Sequence, residues 1–200
     1  MRVLLVHGFL APGALFWPLA KRLRTLGHLA EIFAYPSHRH DLDTHARELI
    51  ERIRSLDTAV AVVAHSVGGL VLHRAVALAP DLPLARRIFV ATPHRGCRMG
   101  RRARLSPIAR FIPDAGKATA YGCEPSSHGA PTGILFGTRD LLVRPDEADL
   151  PGADARLGLP YGHNELVLRP STAHALGRFL AHGLSFEDED RLRDAVGRLS

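Results

Sequence analysis

Short apolar segments alternate with segments of helical hydrophobic spacing along most of the chain, and this alternation constrains the fold more than any other feature. Several apolar segments are continuous, which is typical of strands buried on both faces of a parallel sheet. Repeated strand–helix–strand units favour right-handed crossovers and one sheet covered by helices. We therefore predict an α/β fold with a roughly six-stranded, mainly parallel sheet, with strands at 2–6, 30–34, 59–64, 86–91, 132–137 and 154–159.

Helical spacing predicts helices over 16–26, 44–56, 67–79 and 171–182. Asp43 or Thr44 is suited to cap the second of these helices. A length of 200 residues fits one domain, which we assign to 1–183, and a charged tail or last helix follows over 184–200. Residues 93–131 interrupt the alternation, and connections of that length usually have a function. We predict a long loop or a small lid there.

The strongest local signal is the segment 64–69 (AHSVGG), which lies between an apolar strand and a helical segment. This is the strand–turn–helix context of a nucleophile elbow, a tight turn that exposes a serine above the sheet. The residues two before and two after the serine must be small, and Ala64 and Gly68 satisfy that demand. Gly69 permits close packing of the helix on the sheet. We predict that Ser66 is a nucleophile; the alternative is that it merely caps the helix.

A second signal, His7-Gly8-Phe9, follows the first strand. Gly8 allows the chain to turn sharply, and the backbone N–H of Phe9 is then expected to point into the same cleft as that of Val67. Two such donors form an oxyanion hole. His7 precedes the serine in the chain, so we expect it to be a hydrogen-bonded structural histidine.

These segments together resemble the α/β-hydrolase superfamily, and more closely its small lipase and esterase branch. The resemblance covers roughly residues 2–183 and is carried by 6–9 (VHGF), 64–69 (AHSVGG), 92–96 (TPHRG) and 162–166 (GHNEL). It implies a minimal version of the fold, without a large inserted cap. The arginine-rich stretch over 93–131 is a departure from that pattern.

In this superfamily the catalytic residues follow the order nucleophile, acid, histidine. Three histidines follow the last predicted strand, and His174 and His182 fall inside the C-terminal helix. His163 lies in a loop at the edge where open α/β sheets place their sites, so we predict that it is the general base. Asp140 follows a strand in a Gly-x-x-Asp-x-x-Val arrangement common in the superfamily, and we predict that it orients the histidine. Asp146 is the alternative acid.

The chain carries a net charge of +6, and lysine occurs only at Lys21 and Lys117. The densest basic cluster lacks helical spacing, and we predict a solvated loop face, with an anion-attracting rim as the alternative; its members are Arg95, Arg98, Arg101, Arg102, Arg104 and Arg110. Aromatic residues make up only 6% of the chain. We therefore expect no specific nucleic-acid partner, while an anionic lipid interface stays open.

We expect neither a metal nor a cofactor, because the sequence lacks H-E-x-x-H, C-x-x-C and the glycine-rich nucleotide-binding motifs. No apolar run reaches membrane-spanning length, and no signal peptide is recognised. We predict a cytoplasmic protein in which Cys97 and Cys123 are reduced thiols, with a disulfide between them as the alternative.

The function predicted from the triad is hydrolysis of carboxylic esters, on a small-molecule or lipid substrate, through an acyl-enzyme. A thioesterase or acyltransferase with the same triad, and a ligand-binding protein without turnover, are the alternatives. We expect an apolar acyl pocket lined by Phe9 and Leu10, with Phe16 and Trp17 better suited to packing in the core or at a helix start.

Overall fold

The computed structural model describes residues 1–9, 13–105, 118–123, 128–183 and 185–186, except for the side chains of 103 and 104. The strands are β1 (Arg2–Val6), β2 (Leu29–Phe33), β3 (Val60–His65), β4 (Leu84–Val90), β5 (Thr132–Gly137) and β6 (Ala155–Leu159). The α-helices are α1 (Trp17–Thr25), α2 (Leu42–Arg54), α3 (Val67–Leu78), α4 (Arg98–Leu105) and α5 (Pro170–His182). Short 3₁₀ helices cover Gly13–Phe16 and Ala118–Ala120.

The strands form one sheet in the order β2-β1-β3-β4-β5-β6. Each neighbouring pair is parallel, so the α/β prediction is confirmed and the expected mainly parallel sheet is parallel throughout. Because all strands point the same way, their carboxyl ends meet at one edge, where open α/β sheets place their sites. We call this the carboxyl edge.

Strand β1 shows why the apolar runs are continuous. Leu4 and Val6 pack in a buried cluster with residues of α2 and α3, whereas Val3 and Leu5 pack on the other face with residues of α1 and α5. Successive strand side chains point to opposite faces, and both faces are covered. Every position of the strand interior therefore carries an apolar residue.

The start of α2 differs from the prediction. Asp41, in extended backbone, caps the helix, and its Oδ1 accepts a hydrogen bond from the N–H of Thr44 at 2.7 Å. Asp43 instead forms two hydrogen bonds with Arg74 at 2.6 and 2.8 Å, which join α2 to α3. The predicted caps, Asp43 and Thr44, were wrong because the helix starts earlier than its apolar periodicity.

Part of the arginine cluster after β4 is helical, over Arg98–Leu105, which corrects the loop conformation predicted for Arg98, Arg101 and Arg102. The carboxylate of Glu147 accepts hydrogen bonds from the N–H of Arg98 at 2.8 Å and from the N–H of Arg144 at 3.0 Å. A carboxylate at a helix start accepts a hydrogen bond from an N–H group that has no partner within the helix, and its negative charge interacts favourably with the helix dipole. A residue far along the chain therefore supplies the start that the local sequence lacks.

Residues 106–117, Arg110 among them, and 187–200, where a last helix was predicted, lie outside the described residues, as does Leu10. Whether 93–131 acts as a loop or a lid stays a prediction. No disulfide joins Cys97 and Cys123. In the described part of the chain, no helix is long and apolar enough to cross a membrane.

The packing of α3 on β1 is tight enough to exclude a methyl group at Gly68. A Cβ there would lie 2.6 Å from the carbonyl oxygens of Val6 and His7, which are backbone atoms that cannot turn aside. We expect Gly68→Ala to lower the free energy of unfolding by about 1–3 kcal/mol, because overpacking outweighs the gain in helix propensity.

Urea unfolding of both proteins measures this difference. Gly129→Ala is the matched control, since a Cβ at that position meets nothing within 4 Å. Equal unfolding free energies for Gly68→Ala and the parent would contradict the close approach of α3 to β1.

Candidate active site

Ser66 occupies a strained turn between β3 and α3. Its backbone has φ 54° and ψ −124°, a conformation that L-residues rarely adopt, and its N–H donates to the carbonyl of Val90 at 2.9 Å. Residues held in such conformations cluster at functional sites. The Ser66 side chain makes no capping hydrogen bond. This geometry is that of a nucleophile elbow and weighs against a serine that merely caps a helix.

Small residues bring neighbouring backbone against the serine. A Cβ on Gly8 would lie 3.0 Å from the Cβ of Ser66. Gly8 does not adopt the left-handed conformation, so the sharp turn expected of it is not the reason for a glycine. The reason is close approach. Gly69 likewise leaves space that the side chain of Thr92 occupies.

The two predicted oxyanion donors belong to the two segments that meet at this contact. Val67 is the first residue of α3, so its N–H has no acceptor within the helix. Phe9 directly follows Gly8, which touches the serine, and its side chain is half-buried. Both backbone N–H groups therefore belong to segments that contact Ser66.

Asp140 and His163 form a buried hydrogen-bonded pair at the carboxyl edge. The Nδ1–H of His163 donates to Oδ2 of Asp140 at 2.7 Å, while Oδ1 accepts from the N–H groups of Leu142 and Val143 at 2.8 and 3.0 Å. The Asp140 side chain is fully buried and that of His163 is 10% exposed. With Nδ1 carrying the proton, Nε2 is left as a proton acceptor.

Backbone hydrogen bonds hold the two loops in register. The N–H of Thr138 donates to the carbonyl of Leu159 at 2.8 Å, and the N–H of Arg139 donates to the carbonyl of Tyr161 at 3.3 Å. These bonds extend the β5–β6 pairing past the end of the strands. Asp140 and His163 therefore lie on two neighbouring loops that backbone hydrogen bonds hold together.

The structure places the Asp140–His163 pair beside the serine turn. The rings of His163 and His65 lie 4.7 Å apart, centroid to centroid, and His65 immediately precedes Ser66. Among the described residues, no hydrogen bond joins Ser66 to His163. Such contacts are often long in the absence of substrate and tighten in the complex.

His65 is the site residue that sequence reasoning passed over. Its Nε2–H donates to the carbonyl oxygen of His163 at 3.2 Å, while its Nδ1 is buried without a partner in the part of the chain described. Burial lowers the pKa of His65 well below its usual value, so the ring is neutral. The available signal was a histidine next to the serine, but its partner lies on a distant loop.

His7 has the structural role expected of it. Its Nδ1–H donates to the carbonyl of Gly8 at 2.9 Å, and its ring stacks on that of Tyr35 at 4.4 Å. The hydroxyl of Tyr35 donates to the carbonyl of His7 at 2.7 Å. These contacts tie the end of β1 to Tyr35 and hold the His7–Gly8 segment in place.

The two aromatic residues before and at the start of α1 lie apart. Phe16 is fully buried, with its ring centroid 5.8 Å from that of His65, whereas Trp17 is 74% exposed. Phe16 is therefore a core residue that packs against His65, the residue before Ser66, and Trp17 lies on the surface.

The segment 92–96 acquires a structural role. A 2.8 Å hydrogen bond joins Nδ1 of His94, in this segment, to Nε2 of His73 on α3. The ring of His73 stacks on that of Phe89. Ala91, just before this segment, has φ 47°. The segment therefore clamps the helix that begins at the serine to the end of β4.

Within the described residues, no group of three or more His, Cys, Asp or Glu side chains is placed to hold a metal ion.

The sequence matches a family model over residues 3–199, described as the alpha/beta hydrolase family. The chain belongs to the α/β-hydrolase family. Among curated proteins, none matches it significantly. The family assignment confirms the resemblance seen in the elbow and in the loops that surround it.

Solved structures share the fold at low sequence identity. A pyrethroid hydrolase from Sphingobium faniae JZ-2 matches with TM-score 0.69 and 15% identity, covering 91% of this chain and 98% of its own. The Bacillus licheniformis lipase BlEst2 matches with TM-score 0.72 and 17% identity over 92% and 91% of the two chains. A putative non-heme bromoperoxidase, BpoC from Mycobacterium tuberculosis H37Rv, matches with TM-score 0.70 and 18% identity over 91% and 92%. At such identities the likeness shows the fold alone.

The buried histidines make stability depend on pH. Burial lowers the pKa of His73 to about 3 and of His94 to about 4, whereas an unfolded histidine titrates near 6.5. Below about pH 6.5 the unfolded chain therefore binds more protons than the folded one, so stability falls as pH falls. We expect each buried histidine to contribute roughly 1 kcal/mol per pH unit to this slope.

Urea unfolding between about pH 7 and about pH 5 measures the slope. Replacing His94→Asn removes one buried titrating group and should make the slope shallower by that amount. His174→Asn, on the exposed face of α5, is the control and should leave the slope unchanged. A slope that His94→Asn does not alter would show that this ring is protonated in the folded protein as well.

Proposed function

We propose that this protein is a serine hydrolase that cleaves carboxylic esters with Ser66, His163 and Asp140 as its catalytic triad. The observation that carries the proposal is the 2.7 Å hydrogen bond between His163 and the buried Asp140, beside a strained serine turn. A histidine oriented in this way by a carboxylate has one ring nitrogen available as a base. Nucleophile, base and orienting group then follow the order of the family.

The first half-reaction forms an acyl-enzyme. Oγ of Ser66 attacks the acyl carbonyl carbon while its proton moves to Nε2 of His163, and the C=O electron pair moves onto the oxygen. Asp140 stays ionised and stabilises the imidazolium. Collapse of this intermediate breaks the bond to the alkoxy leaving group, which takes the proton from His163.

The second half-reaction regenerates the serine. Water attacks the acyl carbon and gives a proton to Nε2 of His163, and collapse of the second intermediate returns that proton to Oγ of Ser66 and releases the carboxylic acid. The backbone N–H groups of Phe9 and Val67 are the proposed donors to the oxyanion in both steps. Losing one such donor typically lowers the rate about 10²–10³-fold.

The choice of ester as substrate rests on the chemistry of the triad and on the proteins whose solved structures are similar. Similar structures include proteins described as a pyrethroid hydrolase and a lipase. A thioesterase or acyltransferase would use the same residues. The absence of a disulfide between Cys97 and Cys123 suits a reducing compartment, and we propose that the protein acts in the cytoplasm.

The nucleophile is tested by Ser66→Ala. The variant should fold normally and lose both fluorophosphonate labelling and hydrolysis of short p-nitrophenyl esters, because no other group supplies Oγ. Circular dichroism checks the fold. Labelling of a different serine in the variant, or ester hydrolysis at the parent rate, would refute the assignment. A panel of oxygen esters and thioesters of equal chain length, with and without an acceptor alcohol, separates the alternatives.

The acid is tested by Asp140→Asn, with Asp146→Asn as the matched control. Asp140 is buried against His163, whereas Asp146 is exposed. An asparagine at 140 favours the wrong histidine tautomer, so kcat should fall by about 10⁴ with little change in KM. Asp146→Asn should retain nearly full activity. The reverse pattern would make Asp146 the orienting acid.

A further inference from the structure

Helix α4 exposes both basic and apolar side chains to solvent. Its sequence contains no acidic residue. At 100° per residue, the exposed positions span an arc of about 160°, opposite Gly100, which lies against Thr119. Among the described side chains, those exposed on α4 are Arg98, Met99, Arg101, Arg102 and Leu105.

Apolar side chains lie among these arginines. Leu105 is 84% exposed and Met99 is 45% exposed. On the helical wheel, Leu105 lies about 20° from Arg98 and about 60° from Arg102. Tyr121, which is 62% exposed, directly follows the 3₁₀ helix that contacts α4. We call Arg98, Met99, Arg102, Leu105 and Tyr121 the α4 surface.

We propose that the α4 surface docks on an anionic phospholipid bilayer. Arginines pair with lipid phosphates, while leucine, methionine and tyrosine side chains enter the boundary between headgroups and acyl chains. The long arginine stems let the guanidinium groups stay with the headgroups while the apolar residues go deeper. A nucleic acid would use the arginines but would leave the exposed leucine and methionine in water. The mixture therefore favours a lipid surface.

Glu147 fixes this surface to the candidate active site. Its carboxylate, 7% exposed, accepts the N–H groups of both Arg98 on α4 and Arg144 on the loop after Asp140. It also lies 3.5 Å from Nη2 of Arg101, which offsets the charge of that arginine. For this reason Arg101 is not part of the α4 surface.

The loop after Asp140 continues the pattern. Leu141 is 86% exposed and Leu142 is 42% exposed, and Arg144 is exposed beside them. Exposed acidic residues come later on the same loop, at Asp146, Asp149 and Asp154, and Asp149 is paired with Arg156. Both α4 and the loop follow strands at the carboxyl edge. Docking through the α4 surface would therefore hold the edge that carries Ser66 close to the bilayer.

Docking has a consequence for the substrate, and that consequence rests on the proposed function. An active site held at a bilayer meets esters dissolved in the lipid phase, so apolar esters are the class that this orientation favours. The docking itself depends only on α4 and its neighbours.

Vesicle co-sedimentation of the full chain tests the proposal. Vesicles of phosphatidylcholine with about 30% phosphatidylglycerol should bind the protein, and pure phosphatidylcholine should bind it far less. Arg98→Gln with Arg102→Gln should weaken binding about 10–30-fold, since each arginine contributes about 1 kcal/mol near an anionic surface. Leu105→Gln should weaken binding by severalfold without any change in charge.

Matched controls separate the α4 surface from net charge and general hydrophobicity. Arg47→Gln with Arg54→Gln removes the same charge from α2, and Leu29→Gln removes an exposed leucine at the start of β2. Both should bind vesicles like the parent. Equal losses in these controls, no binding by the parent, or equal binding to neutral vesicles would overturn the proposal. So would Leu105→Gln that binds normally while the arginine variant does not, since that pattern describes a general anion site.

Two further measurements distinguish failure of docking from failure of the proposed function. Ser66→Ala should bind vesicles like the parent, because Ser66 is not part of the α4 surface. The arginine variant should retain fluorophosphonate labelling and hydrolysis of a water-soluble ester while it loses hydrolysis of an ester embedded in anionic vesicles. Loss of the soluble activity as well would show that α4 supports the site and would overturn a purely docking role.

Discussion

The serine turn of the candidate site depends on how closely α3 approaches the ends of β1 and β4. Gly68 lies against the last carbonyls of β1, and Gly69 lies against Thr92 beyond β4. Because those contacts leave no space for a side chain, the helix begins directly above the sheet. The turn before it must then be tight, which places Ser66 in the left-handed region. Backbone strain at the serine is thus a consequence of packing and is stabilised by it.

The parts of the fold that could be predicted are those encoded locally. Continuous apolar runs locate the strands because both sheet faces are buried, and the small residues around Ser66 reveal the elbow because its turn has a steric requirement of its own. Chain order and the carboxyl edge leave few candidates for the acid and the histidine, and the structure joins the two that were predicted, Asp140 and His163, by a hydrogen bond. Each of these signals lies within a few residues of the feature that it describes.

The features that sequence reasoning missed depend on partners far along the chain. Helix α4 begins where Glu147 accepts its first N–H, so the arginine-rich segment alone does not indicate a helix. His65 acquires its role from the carbonyl of His163 in a loop after β6. The N-cap of α2 was missed for a more local reason, since Asp41 precedes the first apolar residue of the helical pattern. In each case a polar contact, rather than periodicity, decides the outcome.

The sheet order also sets when the chemistry can first exist. Ser66 follows β3, near the middle of the sheet, whereas Asp140 and His163 follow β5 and β6, which are added at one side. A ribosome releases the N-terminal strands first. A growing chain that has completed β4 therefore holds the serine turn without its base or its acid. Under the proposed function, a chain that lacks the last two strands would have the serine turn without its partners and would not hydrolyse ester.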